Sequence, residues 1–395
     1  MAAPKRPQGV SPIDQAGLTL IELMIGVLLA SVFISGLFYL FSGQKKTYTQ
    51  QHNQMTNHQS LAGAMQFLTR QIRRGGTGFG GCPNSQAKMW SGSGTDTKVS
   101  PYVALQVYNG CDLTTTAPAS CSGNDGVDSF TIAYSDDAAV GTLPAARLIA
   151  DALTSDSASP IRVRTAGNFQ AGDRMILWDP RREWCTMLAV TGNPTSGGGG
   201  FELPHAAGGS VDSVVYNPTG GLNIFPSSGY GVGALVVRIG PRSRVRHFSI
   251  DSSTNPPRLV TWTTEAANPS ANKGDLEVLA DGVEDMQIAW ACDVDGDGDL
   301  SETPSSPTTD EWAFADPGDT APTCGDARIS AVRITLIARQ PSPDMENQTS
   351  YRPAAEDRAA GSPAADQVAT NGMGTFVRST LTTVVNLPNV AGLKQ

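Results

Sequence analysis

The sequence predicts an α+β fold in which one long N-terminal helix, transmembrane in its first half and amphipathic in its second, packs on an antiparallel β-sheet domain. Three observations support this prediction. Glu22 is the one charged residue between residues 18 and 41. A helical apolar stripe then continues to a Gly-Gly pair at residues 75–76. From about residue 83, short β-type runs alternate with Gly, Pro, Ser and Asp clusters, and no comparable helical pattern follows.

The composition limits the number of domains and the classes of protein to which this chain can belong. The 395 residues allow one large or two modest domains. The 42 Gly and 26 Pro residues favour turns and loops, and hence β structure. Because the formal net charge is −9, the chain is a poor general binder of nucleic acid, and no strong nucleic-acid signal is present.

The first half of the helix, residues 18–41, is long enough to cross a bilayer, which takes about 20 residues. A carboxylate at the centre of such a helix costs about 2.5–3.5 kcal/mol on insertion scales. Glu22 lies near one end, where the cost is smaller, but it still needs a partner. The next basic residues, Lys45 and Lys46, are too far along the chain. We therefore expect the partner to be a free α-amino group on a neighbouring subunit, which would exist if the chain were cut before Leu18.

The second half of the helix carries its apolar residues on one face. Its last turn is rich in arginine, which suits the negative end of the helix dipole, and Gly75-Gly76 is expected to stop it. The sequence therefore predicts a helix over residues 18–75 and a β-rich domain with loop insertions over residues 76–395. The apolar face is formed by Leu61, Ala64, Met65, Leu68 and Ile72.

The residues Gly17-Leu18-Thr19-Leu20-Ile21-Glu22 resemble the class III signal of type IV pilins and type II secretion pseudopilins. The resemblance implies that prepilin peptidase removes residues 1–17 by cutting after Gly17. It also implies that Leu18 becomes an N-methylated first residue and that Glu22 acts in assembly. The family usually has Phe where Leu18 stands. The alternatives are an ordinary secretory signal or a plain signal anchor, but no A-x-A-like cleavage site closely follows the apolar run.

Later segments resemble a subfamily, the PilW-type minor pilins. They are residues 64–73 with the following Gly75 and Gly81-Cys82, then residues 171–177, 281–290, 333–339, 376–378 and 382–389. Two departures from the family pattern stand out. Arg74-Gly75 lacks the usual intervening alanine, and Pro388 replaces an arginine.

This resemblance implies a minor pilin that acts in type IV pilus assembly or initiation and supports adhesion, twitching motility or DNA uptake. Its implied partners are other major and minor pilins and the inner-membrane assembly platform. Before assembly the protein would be a single-pass inner-membrane protein with a periplasmic body, consistent with the positive charges of Lys5 and Arg6 before the span. After assembly it would lie in the pilus at the cell surface. The alternatives are a type II secretion pseudopilin and a pilus-tip adhesin or binding module.

The β-rich region contains ten candidate strands, each rich in Val, Ile, Thr or aromatic residues and bounded by turn residues. Residues 197–200, 301–307 and 341–372 are expected to be loops. The candidate strands cover residues 129–134, 174–178, 184–190, 213–216, 234–239, 245–250, 258–263, 286–290, 331–338 and 376–385.

An acidic stretch, residues 293–302, matches the first half of an EF-hand-type calcium loop, D-x-D-x-D-G. Asp293, Asp295 and Asp297 would be side-chain ligands, and Asp299 would offer its carbonyl. The twelfth position of the loop is Pro304 rather than Glu, so another carboxylate, from Glu302, Asp310 or Glu311, would have to complete the site. The sequence therefore predicts Ca²⁺ as a cofactor, with a solvated acidic turn as the alternative.

Six cysteines in an exported chain favour disulfides, and no C-x-x-C pair indicates zinc. Cys111–Cys121 and Cys292–Cys324 would each close a loop rich in turn residues, which leaves Cys82–Cys185 by elimination. The alternative is that some of the six are free, buried thiols.

The sequence shows no catalytic constellation. It contains no G-x-S-x-G or H-E-x-x-H motif, and two of its four histidines, His52 and His58, lie on the predicted helix. We therefore expect a protein that is not an enzyme.

Overall fold

A computed structural model of the chain provides the fold. The residues that it describes are 19–76, 88–90, 97–99, 105–114, 126–135, 145–152, 159–179, 184–211, 214–219, 224–240, 243–264, 276–294, 297–302, 310–314, 329–340, 355–356 and 378–387. Two compact units are distinguished, Met1–Met55 and Thr56–Gln395.

Helix α1 (Leu20–Arg74) agrees with the predicted helix at residues 18–75. In the first unit its apolar side chains are exposed, including Phe33 at 73% and Phe38 at 71%. By length and composition, α1 is able to cross a membrane, with a mean hydropathy of 2.3 over its most apolar window. It is therefore a candidate membrane anchor.

In the second unit, α1 buries the predicted apolar face. Leu61, Ala64, Met65, Leu68 and Ile72 are all at most 5% exposed. The helix ends where Gly75 donates a backbone hydrogen bond to Ile72 and Gly76 adopts a φ of +74°. Glycine reaches that conformation at little cost, so the Gly-Gly pair ends the helix as predicted.

Among the described residues, twenty strands follow the helix. Ten of them are β1 (Lys88–Trp90), β2 (Thr97–Val99), β3 (Leu105–Tyr108), β4 (Ser129–Ser135), β5 (Ala145–Arg147), β6 (Ile161–Val163), β7 (Arg174–Asp179), β8 (Trp184–Ala189), β9 (Thr195–Gly197) and β10 (Gly200–Leu203). The others are β11 (Ser210–Val211), β12 (Val214–Val215), β13 (Leu235–Gly240), β14 (Ser243–Asp251), β15 (Arg258–Thr264), β16 (Glu277–Asp281), β17 (Val283–Cys292), β18 (Trp312–Ala313), β19 (Ile329–Arg339) and β20 (Arg378–Asn386).

Two of the sheets share one core with α1. The five-stranded sheet has the order β16-β15-β14-β4-β3, and the four-stranded sheet has the order β18-β17-β19-β20. All pairs within these two sheets are antiparallel. Phe130 stacks on Phe248 at 4.5 Å between ring centroids, and both rings belong to the cluster that contains Leu61 and Leu68. The fold is thus α+β with an antiparallel sheet body, as predicted.

Strands β5 to β13 lie in the chain between β4 and β14, although β4 and β14 are direct neighbours in one sheet. We call residues 136–242 the inserted region. Its strands build most of a six-stranded sheet, β2-β1-β8-β7-β13-β5, and a three-stranded sheet, β6-β10-β9. A separate hydrophobic cluster, from Ala146 to Val236, lies wholly within it. The inserted region therefore has a core of its own.

All ten candidate strands overlap an observed strand. The expected loop at residues 197–200 is a hairpin turn between β9 and β10, with Gly198 and Gly199 at φ +58° and +82°. Among described residues, ten further strands were not predicted from the sequence, and seven of them have only two or three residues. Most of the loops predicted at residues 301–307 and 341–372 lie outside the described residues.

Candidate functional site

Thr19 and Glu22 close the N-terminal end of α1. The Glu22 carboxylate accepts hydrogen bonds from the Thr19 backbone N–H at 3.0 Å and from the Thr19 hydroxyl at 2.8 Å. The Thr19 hydroxyl oxygen in turn accepts a bond from the Glu22 backbone N–H at 3.3 Å. This reciprocal pattern is a capping box, in which the N-cap residue and the third helical residue satisfy each other's free donors.

The capping box refines the prediction for Glu22. We expected its partner on another subunit, and Thr19 supplies a partner within the chain. The signal was present in the sequence, because Thr19-x-x-Glu22 is the T-x-x-E capping pattern. Gly17 and Leu18, the residues of the predicted cleavage site, lie outside the described residues.

Serine hydroxyls along the apolar half of α1 are bonded to the helix itself. The hydroxyls of Ser31, Ser35 and Ser42 donate to carbonyls three or four residues earlier, at 2.7–2.8 Å. A hydroxyl bonded in this way needs no partner from outside in an apolar medium. These three residues are therefore compatible with the exposed apolar surface formed by their neighbours.

In the acidic loop, the carboxylates of Asp293 and Asp297 accept hydrogen bonds from loop N–H groups. Asp293 accepts from Gly298 at 3.1 Å, and Asp297 accepts from Asp299 at 2.8 Å. Asp295 lies outside the described residues. Among the residues that are described, no three His, Cys, Asp or Glu side chains converge to hold a metal.

Glu311 fastens both ends of this loop. One carboxylate oxygen accepts from the Val294 N–H at 2.7 Å, and the other accepts from the Ser301 N–H at 2.8 Å. Glu311 is only 3% exposed, so its carboxylate is used in holding the loop closed. Asp310 is also occupied locally, since it accepts from the Trp312 N–H at 3.0 Å.

Arg333 on β19 links the end of the acidic loop to the body. It contacts Glu302 through two N–H groups, at 2.9 and 3.0 Å, and Glu356 through a third, at 2.7 Å. Its guanidinium lies 4.8 Å from the centroid of the Trp312 ring. Hydrogen bonding to Arg333 lowers the pKa of Glu302, whereas burial raises the pKa of Glu356. The carboxylate of Glu302 is therefore paired with Arg333 and not directed to the aspartates.

Residues 247–389 match the family model described as Type IV Pilus-assembly protein W. The match begins within β14 and runs through β20, and it includes the acidic loop, Glu311 and Arg333. Over these residues the chain is similar to PilW-type, pilin-like proteins, and the description of that family concerns type IV pilus assembly.

A type IV-like pilin from Thermus thermophilus is a similar solved structure, 14% identical to this chain. The comparison covers 38% of this chain and 66% of that pilin, just under two thirds of its length, with a TM-score of 0.19. A search of curated proteins gives no match.

The cysteines among the described residues are Cys111, Cys185 and Cys292, all at most 3% exposed. None of these three is a free thiol. Each predicted pair joins one of them to a cysteine outside the described residues, namely Cys121, Cys82 or Cys324. The pairing therefore stays a prediction.

Proposed function

We propose that this protein is a PilW-type minor pilin that acts in the assembly or initiation of type IV pili. The observation that supports this most strongly is the pilus-assembly family match in a chain that begins with an exposed apolar helix. In the proposal, prepilin peptidase cuts after Gly17, Leu18 is methylated, and α1 leaves the inner membrane to pack among the helices of other pilins.

Glu22 has two separable properties in this proposal: a hydrogen bond that caps α1 and a negative charge. The charge would attract the α-amino group of an adjacent subunit and so set the axial register of the helices. The cap would be kept by any residue whose side chain accepts from Thr19. Substitutions at residues 19 and 22 can therefore distinguish the two roles.

The test is to delete the gene, count surface pili, and assay protein secretion in the same strain. Loss of pili with normal secretion is expected, whereas lost secretion with normal pili would instead identify a type II secretion pseudopilin. Complementation with Glu22→Gln keeps the cap and removes the charge, and we expect it to restore fewer than about a tenth of the pili. Thr19→Val weakens the cap and keeps the charge, and should restore most of them. Full piliation with Glu22→Gln would contradict the charge model.

A second candidate function is a binding module displayed on the pilus, and the inserted region favours it. That region has its own core and carries a pocket of about 250 Å³. The pocket is lined by Asp151, Arg162 and His205, together with Ser159. Adhesion lost on Asp151→Ala or Arg162→Ala, in cells that keep normal pili, would support this role.

We further propose Ca²⁺ as a ligand of Asp293, Asp295 and Asp297, with the Asp299 carbonyl. The alternating carboxylates and the glycine at the sixth position support the proposal. Because Glu302 is paired with Arg333 and Glu311 with the loop backbone, the remaining oxygens would come from water or from residues outside those described.

A further inference from the structure

The four-stranded sheet ends in a long, regular edge strand. Among the described strands, β20 pairs with β19 alone, through nine consecutive residue pairs and without a bulge. Between its ends, β20 contains only Ser, Thr, Leu and Val. Natural edge strands are usually protected from further pairing by Lys, Pro or a bulge. Apart from Arg378 at its start, β20 contains no charged residue, Pro or bulge, so its second edge, which has no partner among the described strands, is suited to pairing with an incoming strand.

A groove runs between this edge and α1. It has a volume of about 680 Å³, and β20 contributes Leu381, Thr382 and Thr383 to its wall. The opposite wall is the flank of α1, formed by Ala62, Met65, Gln66, Thr69, Arg70, Arg73 and Arg74. A strand added to β20 would extend the sheet over this flank, and every second side chain of that strand would point into the groove.

The α1 side of the groove is basic. Gln66, Arg70 and Arg73 are exposed and follow one another at helical spacing, so they form one stripe. This stripe contrasts with the net charge of −9 of the whole chain. The wall is thus suited to a segment that carries carboxylates, because guanidinium groups bind carboxylates through paired N–H donors.

The relative chain directions of α1 and β20 show which end of β20 lies beside the arginines. Ser379, near the start of β20, lies 3.4 Å from the imidazole of His58, which precedes the groove residues on α1. Residues 381–383 lie beside later turns of α1. Both elements therefore run in the same general direction, and Arg70 and Arg73 flank the end of β20 nearer Asn386.

We propose that β20 and this flank of α1 form a docking site for an extended, acidic segment of another pilus subunit. The segment pairs with β20 through its backbone and places carboxylates beside Arg70 and Arg73, with small apolar side chains over Met65 and Leu381. The β20 strand of a second copy could not supply these carboxylates, because residues 378–386 contain no acidic residue. The inference rests on the proposed function for the source of the segment.

The test uses the full chain in detergent micelles and a fluorescein-labelled probe peptide, Glu-Thr-Glu-Thr-Val-Thr-Val-Thr-Val. When the peptide pairs antiparallel with β20, its N-terminal end lies beside Asn386. Both Glu residues are at this end, and their side chains point into the groove. Fluorescence anisotropy should show saturable binding that is at least tenfold weaker when both Glu are replaced by Lys. The double variant Arg70→Glu/Arg73→Glu should reverse this preference. Arg164→Glu, which changes an exposed arginine next to β6, should leave it unchanged.

Two N-methylated forms of the peptide test backbone pairing without altering the protein. Alternate N–H groups of a paired strand point toward its neighbour, so methylation of one alternate set should abolish binding and methylation of the other should spare it. Equal binding by both forms, or equal binding of the Glu and Lys peptides, would overturn the proposal. Sedimentation that shows self-association dependent on Arg70 would assign the groove to a second copy and also overturn it. If gene deletion removes the pili but the peptide does not bind, the docking proposal is wrong and the proposed function is still supported.

Discussion

Asp128 is a buried carboxylate that joins the five-stranded and four-stranded sheets. It is 0% exposed and directly precedes β4. One carboxylate oxygen accepts from the Gly110 N–H, and the other accepts from the Ile288 N–H of β17, both at 2.8 Å. Its own backbone N–H donates to the Met286 carbonyl at 2.8 Å. One side chain thus satisfies donors in two separate parts of the fold.

Asp128→Ala should lower the free energy of unfolding by about 3 kcal/mol, because it leaves the buried Ile288 N–H and the part-buried Gly110 N–H without their acceptor. Urea denaturation of the full chain in micelles, followed by tryptophan fluorescence, measures the change. The control is Asp251→Ala, whose carboxylate accepts from Ser253 within one exposed turn and whose loss should cost under about 1 kcal/mol. Similar values for the two variants would contradict the role given to Asp128.

His247 is a buried imidazole on β14. Its Nε2 shares a hydrogen bond of 2.8 Å with the Thr264 hydroxyl, and its ring stacks on Trp262 at 5.0 Å between centroids. Burial lowers the pKa of His247 to about 4, from its usual value of 6.5. The folded protein therefore favours the neutral imidazole, whereas the unfolded chain takes up a proton near pH 6.5.

The contribution of His247 to the free energy of unfolding should consequently be fully present above about pH 6.5. It should fall as the pH approaches 4, because the unfolded chain binds more protons than the folded protein in that window. His247 alone should account for about 2 kcal/mol of lost unfolding free energy between pH 7 and pH 5. Denaturation curves of His247→Gln should lose this part of the pH dependence. His52→Gln, which changes an exposed histidine on α1, should retain it. An unchanged slope in His247→Gln would show that other groups cause the effect.

At the residue scale, the sequence predicted those functional groups that a local sequence pattern identifies. Glu22 stood out because it is a lone carboxylate in an apolar run, and the alternating aspartates stood out by spacing. The roles of Asp128, Glu311 and Arg333 were not predictable in the same way. Their partners lie up to 160 residues away along the chain, as for Asp128 and Ile288, and only the folded sheets bring them together.

At the scale of single elements, α1 was the most predictable part of the fold. Its apolar run, its stripe and its Gly-Gly end are all local signals, and they placed its two ends within two residues of those observed. Most strands of two or three residues were missed because such short segments show no clear alternation. They are fixed by pairing with longer strands, as Ile161–Val163 is by Gly200–Leu203.

The acidic loop yields a prediction at the same scale. If Ca²⁺ binds it, the full chain should melt at least about 3 °C higher in millimolar Ca²⁺ than with chelator, since ligand at 100 times its Kd adds about 2.7 kcal/mol. Asp297→Asn should abolish the shift, and Mg²⁺ at the same concentration should not reproduce it. No shift in Tm and no binding heat by calorimetry would leave the solvated-turn alternative.

At the scale of the whole molecule, the inserted region interrupts a hairpin. Ser135 at the end of β4 pairs directly with Ser243 at the start of β14, so the two ends of the inserted region meet. The sequence did not reveal this arrangement, because β4 and β14 are separated by strands of ordinary length and composition. Strand pairing alone shows that the flanking strands belong together.

Replacing residues 136–242 by Asn-Gly should close β4 and β14 into a two-residue hairpin, which this dipeptide favours. The core shared by α1 and its two sheets should remain, so cells carrying the variant should keep about half or more of their pili. The cost is exposure of Ala133 and Val245, which pack against the inserted region, together with loss of the pairing between β1 and β8. Pili counted by electron microscopy, alongside adhesion, provide the measurement. Complete loss of pili, with the variant present in the membrane, would show that the inserted region is needed for assembly.

The capping box at the start of α1 has a consequence for how firmly the proposed filament would hold this subunit. A carboxylate that already accepts two hydrogen bonds from Thr19 gains less from a neighbour's amine than a bare carboxylate would gain. In the proposed filament, Glu22 would thus exchange hydrogen bonds to Thr19 for a contact with a neighbour's amine, rather than gain a first partner for an unpaired carboxylate. An exchange with a small net gain runs easily in both directions, so the same contact that guides entry also permits return to the membrane.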